Sequence, residues 1–223
     1  MNRMKNFLYT YKYEVLLFAL MQHLFSGIFV PDLSNYHKAI WLINIVFLGV
    51  ASIGVFIQKE KRKKIIQNIL LLLVALFTIA LPFYNTILNF KVAVNVVYIV
   101  FFSFIFWELL KFLIRPSHID FNVISAAACG YFLLIEISVF IMQNHFYLNP
   151  NSFKGIDTTS PFASFIDLVY FSSITFTSIG FGDIIPNSHQ TKLFTAFIGI
   201  VGQFYTVVLV GILISKFSSK EKE

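Results

Sequence analysis

Two long stretches without a charged side chain constrain the fold of this chain more than any other feature. No Asp, Glu, Lys or Arg lies between Lys64 and Lys91, and none lies between Lys192 and Lys216. An α-helix of about 20 apolar residues crosses the hydrocarbon core of a bilayer. Of the 223 residues, 57% are hydrophobic and only 13% are charged, which is too few to cover a soluble domain. The sequence therefore indicates a polytopic membrane protein and excludes a soluble enzyme and a disordered chain.

Six stretches are long and apolar enough, or nearly so, to form transmembrane helices. The sequence predicts them at about residues 14–30, 39–57, 65–84, 93–114, 122–147 and 191–216. A seventh apolar stretch, about 161–178, is shorter, rich in Ser and Thr, and carries Asp167. This pattern is typical of a re-entrant segment, which enters the membrane without crossing it and must be surrounded by protein or water. The predicted fold class is an all-α integral membrane protein with six transmembrane helices and one re-entrant helix.

The basic residues are sorted to alternate loops. Thirteen of the 17 Lys and Arg residues lie before the first span, in the 59–64 cluster, at 111–115 or in the tail. By the positive-inside rule, both termini are cytoplasmic, in agreement with an even number of spans. The net charge of +6 then follows from membrane topology, and no nucleic-acid partner is predicted. The compact form and short tail favour a plasma (inner) membrane of a prokaryote.

Residues 160–186 carry the polar groups expected of a functional segment. Ser160 followed by Pro161 predicts a helix start, with a capping hydroxyl and then a proline in the first turn. We expect this helix to end at about Thr177, where the negative end of its dipole favours a cation. Glycines follow at 180 and 182. Because glycine accepts positive φ, an alternating backbone there can turn successive carbonyl oxygens to one side, as in rings that replace an ion's hydration shell.

The run Ser178-Ile179-Gly180-Phe181-Gly182-Asp183 resembles the selectivity filter of potassium channels, T-V-G-Y-G-D. The resemblance covers about residues 122–216 and implies a pore helix, a filter loop and a homotetrameric pore in the lipid bilayer. It implies that K⁺ is coordinated at Ser178, Ile179, Gly180 and Phe181, with Gly182 and Asp183 shaping the outer mouth. Supporting roles fall to the pore-helix residues Tyr170, Phe171, Thr175 and Thr177, and Gly202 corresponds to a hinge glycine of the inner helix.

Two departures from the family pattern leave the strength of K⁺ over Na⁺ selectivity open. Ser178 lacks the methyl group of threonine, and Phe181 lacks the phenol of tyrosine. The leading hypothesis is a potassium-selective channel that conducts passively and prefers K⁺ among monovalent cations. The alternatives are a weakly selective monovalent cation channel and a non-conducting membrane subunit that retains the pore fold. An enzyme is not expected, and neither is a cofactor, since K⁺ is the transported substrate.

The sequence divides into three parts on this reading. Residues 1–117 form a four-span membrane domain, 118–217 the pore domain, and 218–223 a short cytoplasmic tail without an attached regulatory domain. The fourth span has no basic residue between Lys91 and Lys111, so no voltage sensor of the arginine type is predicted. The short connection at about 115–121 predicts that the first four spans pack against their own pore unit.

Several ionisable or reactive residues lie inside predicted spans. Glu108 is one turn from Lys111, which predicts an interfacial ion pair. Glu136 lies near the middle of the fifth span and has either a structural hydrogen-bonding role or a role in gating or pH sensing. We expect His23 to be a core residue with its polar atoms satisfied. Cys129, the single cysteine, is expected to pack in the core without a disulfide.

Overall fold

The computed structural model describes residues 2–29, 33–57, 59–84, 87–114 and 121–220. The chain is built almost entirely from helices, with one pair of very short strands. The helices are α1 (Asn2–Thr10), α2 (Lys12–Phe25), α3 (Leu33–Phe56), α4 (Lys61–Tyr84), α5 (Leu88–Ile114), α6 (Phe121–Leu148), α7 (Pro161–Phe176) and α8 (His189–Lys220). Strands β1 (Phe153–Lys154) and β2 (Ile185–Pro186) pair in antiparallel orientation.

Among the described residues, four helices are long and apolar enough to cross a membrane. They span Lys61–Leu81, Leu88–Ile114, Phe121–Leu148 and His189–Leu209, and match the third to sixth predicted spans. In α3 the apolar part is Ile40–Phe56, within the second predicted span. The structure is thus a multi-pass, mainly helical membrane protein, as the sequence predicts.

The first predicted span, 14–30, differs from the expectation. Its α-helix ends at Phe25 and a 3₁₀ turn follows at Ser26–Phe29. Glycine is a poor helix former, and Gly27 lies where an added Cβ would meet the Ile166 side chain at 3.0 Å. The glycine therefore allows this turn to pack closely against α7. A further helix, α1, precedes α2 and was not predicted from the sequence.

Helix α6 lies at the centre of the molecule, with α2, α5, α7 and α8 packed around it. Aromatic rings hold α5 against α6: Tyr98 stacks on Phe140 with ring centroids 4.6 Å apart, and Phe102 lies 5.8 Å from the same ring. Helices α2 and α5 thus pack on α6 within the single chain. Most of the connection predicted at about 115–121 lies outside the described residues, and packing of the first four spans on their own pore unit stays a prediction.

Cys129 lies on α6 and is fully buried. Its thiol donates to the backbone carbonyl oxygen of Tyr13 on α2, with 3.1 Å between the sulfur and the oxygen. The cysteine is free and not in a disulfide. The predicted packing role of Cys129 is confirmed.

Candidate functional site

The short helix α7 begins as its sequence predicts. The Ser160 side chain accepts a hydrogen bond from the backbone N–H of Ala163 at 3.0 Å, and Pro161 occupies the first turn. The helix ends at Phe176, with Thr177 as its C-terminal cap. The Asp167 carboxylate accepts a hydrogen bond from the backbone N–H of Asp157 at 2.6 Å, which ties α7 to the preceding loop.

The run after α7 is anchored on the last turn of that helix. The backbone N–H groups of Ile179 and Gly180 both donate to the Ile174 carbonyl oxygen, at 2.9 and 3.2 Å. Ser178 donates in the same way to Thr175 at 3.1 Å. These bonds fix where the run starts, so that its direction is set by the end of α7.

The backbone of this run alternates in hand. Ser178, Gly180 and Gly182 have φ values of 59°, 54° and 82°, whereas Ile179 and Phe181 lie outside the positive-φ region. A non-glycine residue in the left-handed region costs roughly 1–2 kcal/mol, so Ser178 must be held there by its neighbours. One neighbour is Gln203 of α8, whose side-chain amide donates to the Ser178 hydroxyl oxygen. Alternation of this kind is the backbone feature that the glycine spacing predicts.

Residues 178–182 form an open edge of the single chain. Ile179 is 56% exposed and Phe181 is 72% exposed. A Cβ built on Gly180 or on Gly182 would have no heavy atom within 4 Å. Below this edge, α8 and the start of the run enclose a concave surface, lined by Ser178, Ala196, Ile200, Gln203, Phe204 and Val207.

The end of the run at Asp183 is bound to α7 through the Tyr170 side chain. The Tyr170 hydroxyl donates to the Asp183 carboxylate at 2.7 Å, and this hydrogen bond holds the pKa of Asp183 below its ordinary value. Phe171, the other member of the predicted aromatic pair, is buried and packs edge-on against Phe153, with ring centroids 5.6 Å apart. Tyr170 therefore contacts the run directly, whereas Phe171 packs against the loop before α7.

The loop before α7 also contacts this end of the run, which the sequence did not predict. Strand β1 of the loop pairs with β2, so that Lys154 lies opposite Ile185. Gly155 has a φ of 88°, and a Cβ there would lie 2.3 Å from the Asp183 carbonyl oxygen. Only a residue without a side chain fits against Asp183 in this way, so the loop packs closely against this end of the run.

The remaining predicted residues near α7 make local contacts. The Thr175 hydroxyl donates to the Phe171 carbonyl oxygen at 2.7 Å, and the Thr177 hydroxyl donates to that of Ser173 at 2.9 Å. Gly202 lies against the end of α7, where an added Cβ would be 2.7 Å from the Phe176 ring. This contact gives Gly202 a packing role, and its role as a hinge stays a prediction.

Glu136 is fully buried and contacts His23, so these two predicted residues belong to one pair. The carboxylate Oε1 and the imidazole Nδ1 are 2.7 Å apart. The rings of Phe102, Phe140 and Phe165 surround the imidazole. Oε2 of Glu136 has no hydrogen-bond partner within the part of the chain that the structure describes. The pair joins α2 to α6, which supports the structural alternative for Glu136 and leaves gating or pH sensing untested.

Comparison with known proteins finds that part of this chain is similar to ion channels. Residues 121–219 match the family described as "Ion channel". Two-pore potassium channel 4 of Arabidopsis thaliana is 28% identical over 90 residues, 40% of this chain and 30% of the relative. Two-pore potassium channel 2 of the same plant is 32% identical over 93 residues, 41% of this chain and 19% of the relative. Two pore potassium channel b of rice (Oryza sativa subsp. japonica) is 33% identical over 103 residues, which are 46% of this chain and 24% of the relative.

The family match covers α6, α7, the run 178–183 and nearly all of α8. The chain spans less than a third of each relative's length. No solved structure matches the chain significantly. The matches confirm the resemblance of this region to potassium channels, which the filter-like residues first indicated. The match of residues 121–219 to the ion-channel family covers less than half of the chain and supports a channel domain in this region.

Proposed function

We propose that this chain is a subunit of a potassium-selective channel that conducts passively down the electrochemical gradient. The observation that carries the proposal is the alternation of φ at Ser178, Gly180 and Gly182, directly after a helix that ends at Phe176. An alternating backbone lets successive carbonyl oxygens share one side, where they replace the water around a cation. The ion-coordinating oxygens are then those of Ser178, Ile179, Gly180 and Phe181, and Gly182 shapes the outer mouth.

The open edge of the single chain supports a homotetramer. Residues 1–223 contain one run of this kind, so four chains close a ring of four runs. The large apolar residues of α8 form a stripe of exposed side chains at helical spacing, comprising Leu193, Phe197, Ile200, Phe204 and Val207. In a ring, one part of this stripe faces neighbouring chains and the other lines the pore. A mass of four chains in mild detergent is expected, and a mass of two would contradict the homotetramer.

Six transmembrane helices, with both termini on the cytoplasmic side, complete the proposed topology. The four-span domain, 1–117, then precedes a pore domain, 118–217. In this arrangement α7 enters from the outer side and returns through the run 178–183. The lysines at the two ends of α5 support its span, since Lys91 lies over the Tyr147 ring and Lys111 over the Trp107 ring, at 5.3 and 5.1 Å.

Weak dependence on voltage is part of the proposal. Helix α5, the fourth predicted span, carries no basic residue between Lys91 and Lys111. Moving charges across the membrane field is what makes a channel steeply voltage-dependent. We expect a nearly voltage-independent conductance, apart from rectification. A gating-charge transient of several elementary charges per subunit would contradict this part of the proposal.

The experiment that tests the function is cation flux into liposomes that hold the purified chain. Potassium flux well above sodium flux is expected. Equal fluxes would favour a weakly selective monovalent cation channel, consistent with the missing phenol at Phe181. Confirmed tetramers without any flux would favour a non-conducting subunit that retains the pore fold.

A matched pair of glycine variants sharpens this experiment. Gly180→Ala places a side chain at positive φ, which costs roughly 1–2 kcal/mol per chain, so we expect loss of potassium flux or of its preference over sodium. Gly49→Ala is the control, because its added Cβ meets only the end of the flexible Leu71 side chain. Unchanged flux and selectivity in Gly180→Ala would overturn the assignment of the filter.

A further inference from the structure

Three lysines surround one carboxylate near the end of α5. Oε2 of Glu108 lies 3.1 Å from Nζ of Lys63 and 3.5 Å from Nζ of Lys59, and Oε1 lies 3.1 Å from Nζ of Lys111. The Glu108 side chain is only 1% exposed, whereas the lysine side chains are between 28% and 46% exposed. The predicted pair of Glu108 with Lys111 is therefore confirmed, but it is part of a larger cluster, the lysine collar of Lys59, Lys63 and Lys111.

The lysine collar carries more positive charge than Glu108 can neutralise. Two of its ammonium groups contact the same carboxylate oxygen, so they lie close together and repel each other. The flanking residues add to the excess: around the collar, six basic residues accompany two acidic ones, the basic ones being Lys59, Lys61, Arg62, Lys63, Lys64 and Lys111 and the acidic ones Glu60 and Glu108. A second anion beside Glu108 would relieve this repulsion.

The collar lies at the depth where lipid headgroups are expected. The ammonium group of Lys111 lies over the ring of Trp107, 5.1 Å from its centroid, and the Trp107 ring is exposed on the outside of the molecule. Tryptophan is enriched at the boundary between headgroups and acyl chains. The lysine collar and an interfacial aromatic residue therefore occupy the same end of α5.

The surface next to the collar is apolar, which distinguishes a lipid from a soluble anion. Helix α4 starts at Lys61, and on its outer face Ile65, Ile66, Ile69 and Leu72 are all exposed. Acyl chains cover such a face in a bilayer. A molecule that joins an anionic group to acyl chains therefore matches both the collar and the helix above it.

We propose that Lys59, Lys63 and Lys111, gathered around Glu108, bind the phosphate of an anionic phospholipid headgroup. Lysine ammonium groups bind phosphate oxygens as point charges, and their hydrogen bonds to a charged partner are among the stronger ones. Glu108 holds the ammonium groups together before the lipid arrives, which reduces the entropy lost on binding. The site joins the α3–α4 connection to the end of α5, so a bound lipid links these elements.

The test compares two double variants that remove the same charge from the same surface. Lys63→Gln/Lys111→Gln removes two of the three positive charges of the lysine collar. Lys61→Gln/Arg62→Gln removes two neighbouring charges that make no contact with Glu108. Binding of phosphatidylglycerol to the full chain is measured in phosphatidylcholine nanodiscs at about 0.5 M salt, where charges that are not in contact are largely screened. We expect a loss of about tenfold or more for the first variant and less than about threefold for the second.

Four results would overturn the proposal. Equal losses in the two double variants would indicate a diffuse basic surface, and no loss in either would indicate no site. Displacement of phosphatidylglycerol by glycerol phosphate at equal concentration would assign the collar to a soluble anion. Lys63→Arg/Lys111→Arg keeps the charge, so retained binding is expected there, and its loss would also contradict the proposal. Thermal unfolding in phosphatidylcholine alone shows that each variant is folded.

Discussion

Helices α6 and α8 flank α7 and are both apolar, but they differ in how much of each helix is buried within the single chain. Over the residues whose side chains the structure describes, 61% of the most apolar part of α6 is buried, against 11% in α8. Helix α6 packs against α2, α5, α7 and α8, whereas α8 contacts mainly α6 and α7. This difference indicates that the single chain buries much of α6 in its own core. It leaves most of α8 and the run 178–182 exposed and available for other contacts. Under the proposed function, those contacts are further copies of the chain and the permeating ion.

The strongest test of this comparison replaces one phenylalanine on each helix with alanine. Phe140→Ala removes a fully buried ring of α6 and is expected to cost about 3–5 kcal/mol of unfolding free energy. Phe197→Ala, on the exposed stripe of α8, is expected to leave the fold of the single chain unchanged and to weaken the tetramer. Denaturation in detergent and native mass measure the two effects. Equal destabilisation of the fold would break the comparison.

Polar residues of the two helices provide the next test. Glu136→Ala leaves His23 buried without its partner, and breaking a buried pair typically costs about 3–5 kcal/mol. Glu136→Gln retains an acceptor and is expected to cost less. Gln203→Ala on α8 is expected to alter flux rather than stability, because Gln203 is exposed and contacts Ser178. Normal, pH-insensitive currents in Glu136→Gln would exclude a role of Glu136 in gating or pH sensing.

A smaller effect is expected where α6 and α8 meet. Gly130 of α6 lies under the Tyr205 hydroxyl, at a position where an added Cβ would overlap that oxygen, and the hydroxyl donates to the Ala127 carbonyl oxygen at 2.8 Å. Gly130→Ala is therefore expected to cost about 1–3 kcal/mol through overpacking. Tyr205→Phe in the same chain removes the clashing oxygen and should recover part of that loss. No recovery in the double variant, measured by denaturation, would contradict the proposed clash.

The smallest expected effect concerns the hydrogen bond between Tyr170 and Asp183 at the end of the run 178–183. Tyr170→Phe removes the hydrogen bond that lowers the pKa of Asp183, so this pKa should rise towards its ordinary value of about 3.9. A lowered pKa contributes stability that is present above the ordinary pKa and is lost as the pH falls through the lowered value. The variant should therefore be slightly less stable than the native chain above about pH 4, and this difference should disappear as the pH falls through the lowered pKa. Carbon-13 NMR of the aspartate carboxyl groups measures the change, and an unmoved Asp183 signal would refute it.

Features that depend on neighbouring residues could be predicted from the sequence. Ser160 and Pro161 mark the start of α7 because capping acts within one turn, and the end of the helix follows within one residue of the expected Thr177. The alternating φ values follow from the glycine spacing. Local chemistry thus identified the segment that carries the proposed function.

Features that depend on distant residues could not be predicted. The partner of Glu136 lies 113 residues away, and Lys63 reaches Glu108 across 45 residues. Strands of two residues have no periodicity, so the contact of Gly155 with Asp183 left no signal beyond a glycine in a polar loop. The 3₁₀ turn that ends the first predicted span after Phe25 packs against α7, which is distant in the sequence. Tertiary packing decides each of these features.

The buried thiol of Cys129 has a practical consequence for topology. A buried cysteine is chemically inert, and this one also donates its hydrogen to a backbone carbonyl oxygen. The native chain therefore serves as a label-free background, in which any reaction with a membrane-impermeant maleimide reports an introduced cysteine. Cysteines placed at Lys154 and at Lys61 would then show directly which loops face each side of the bilayer.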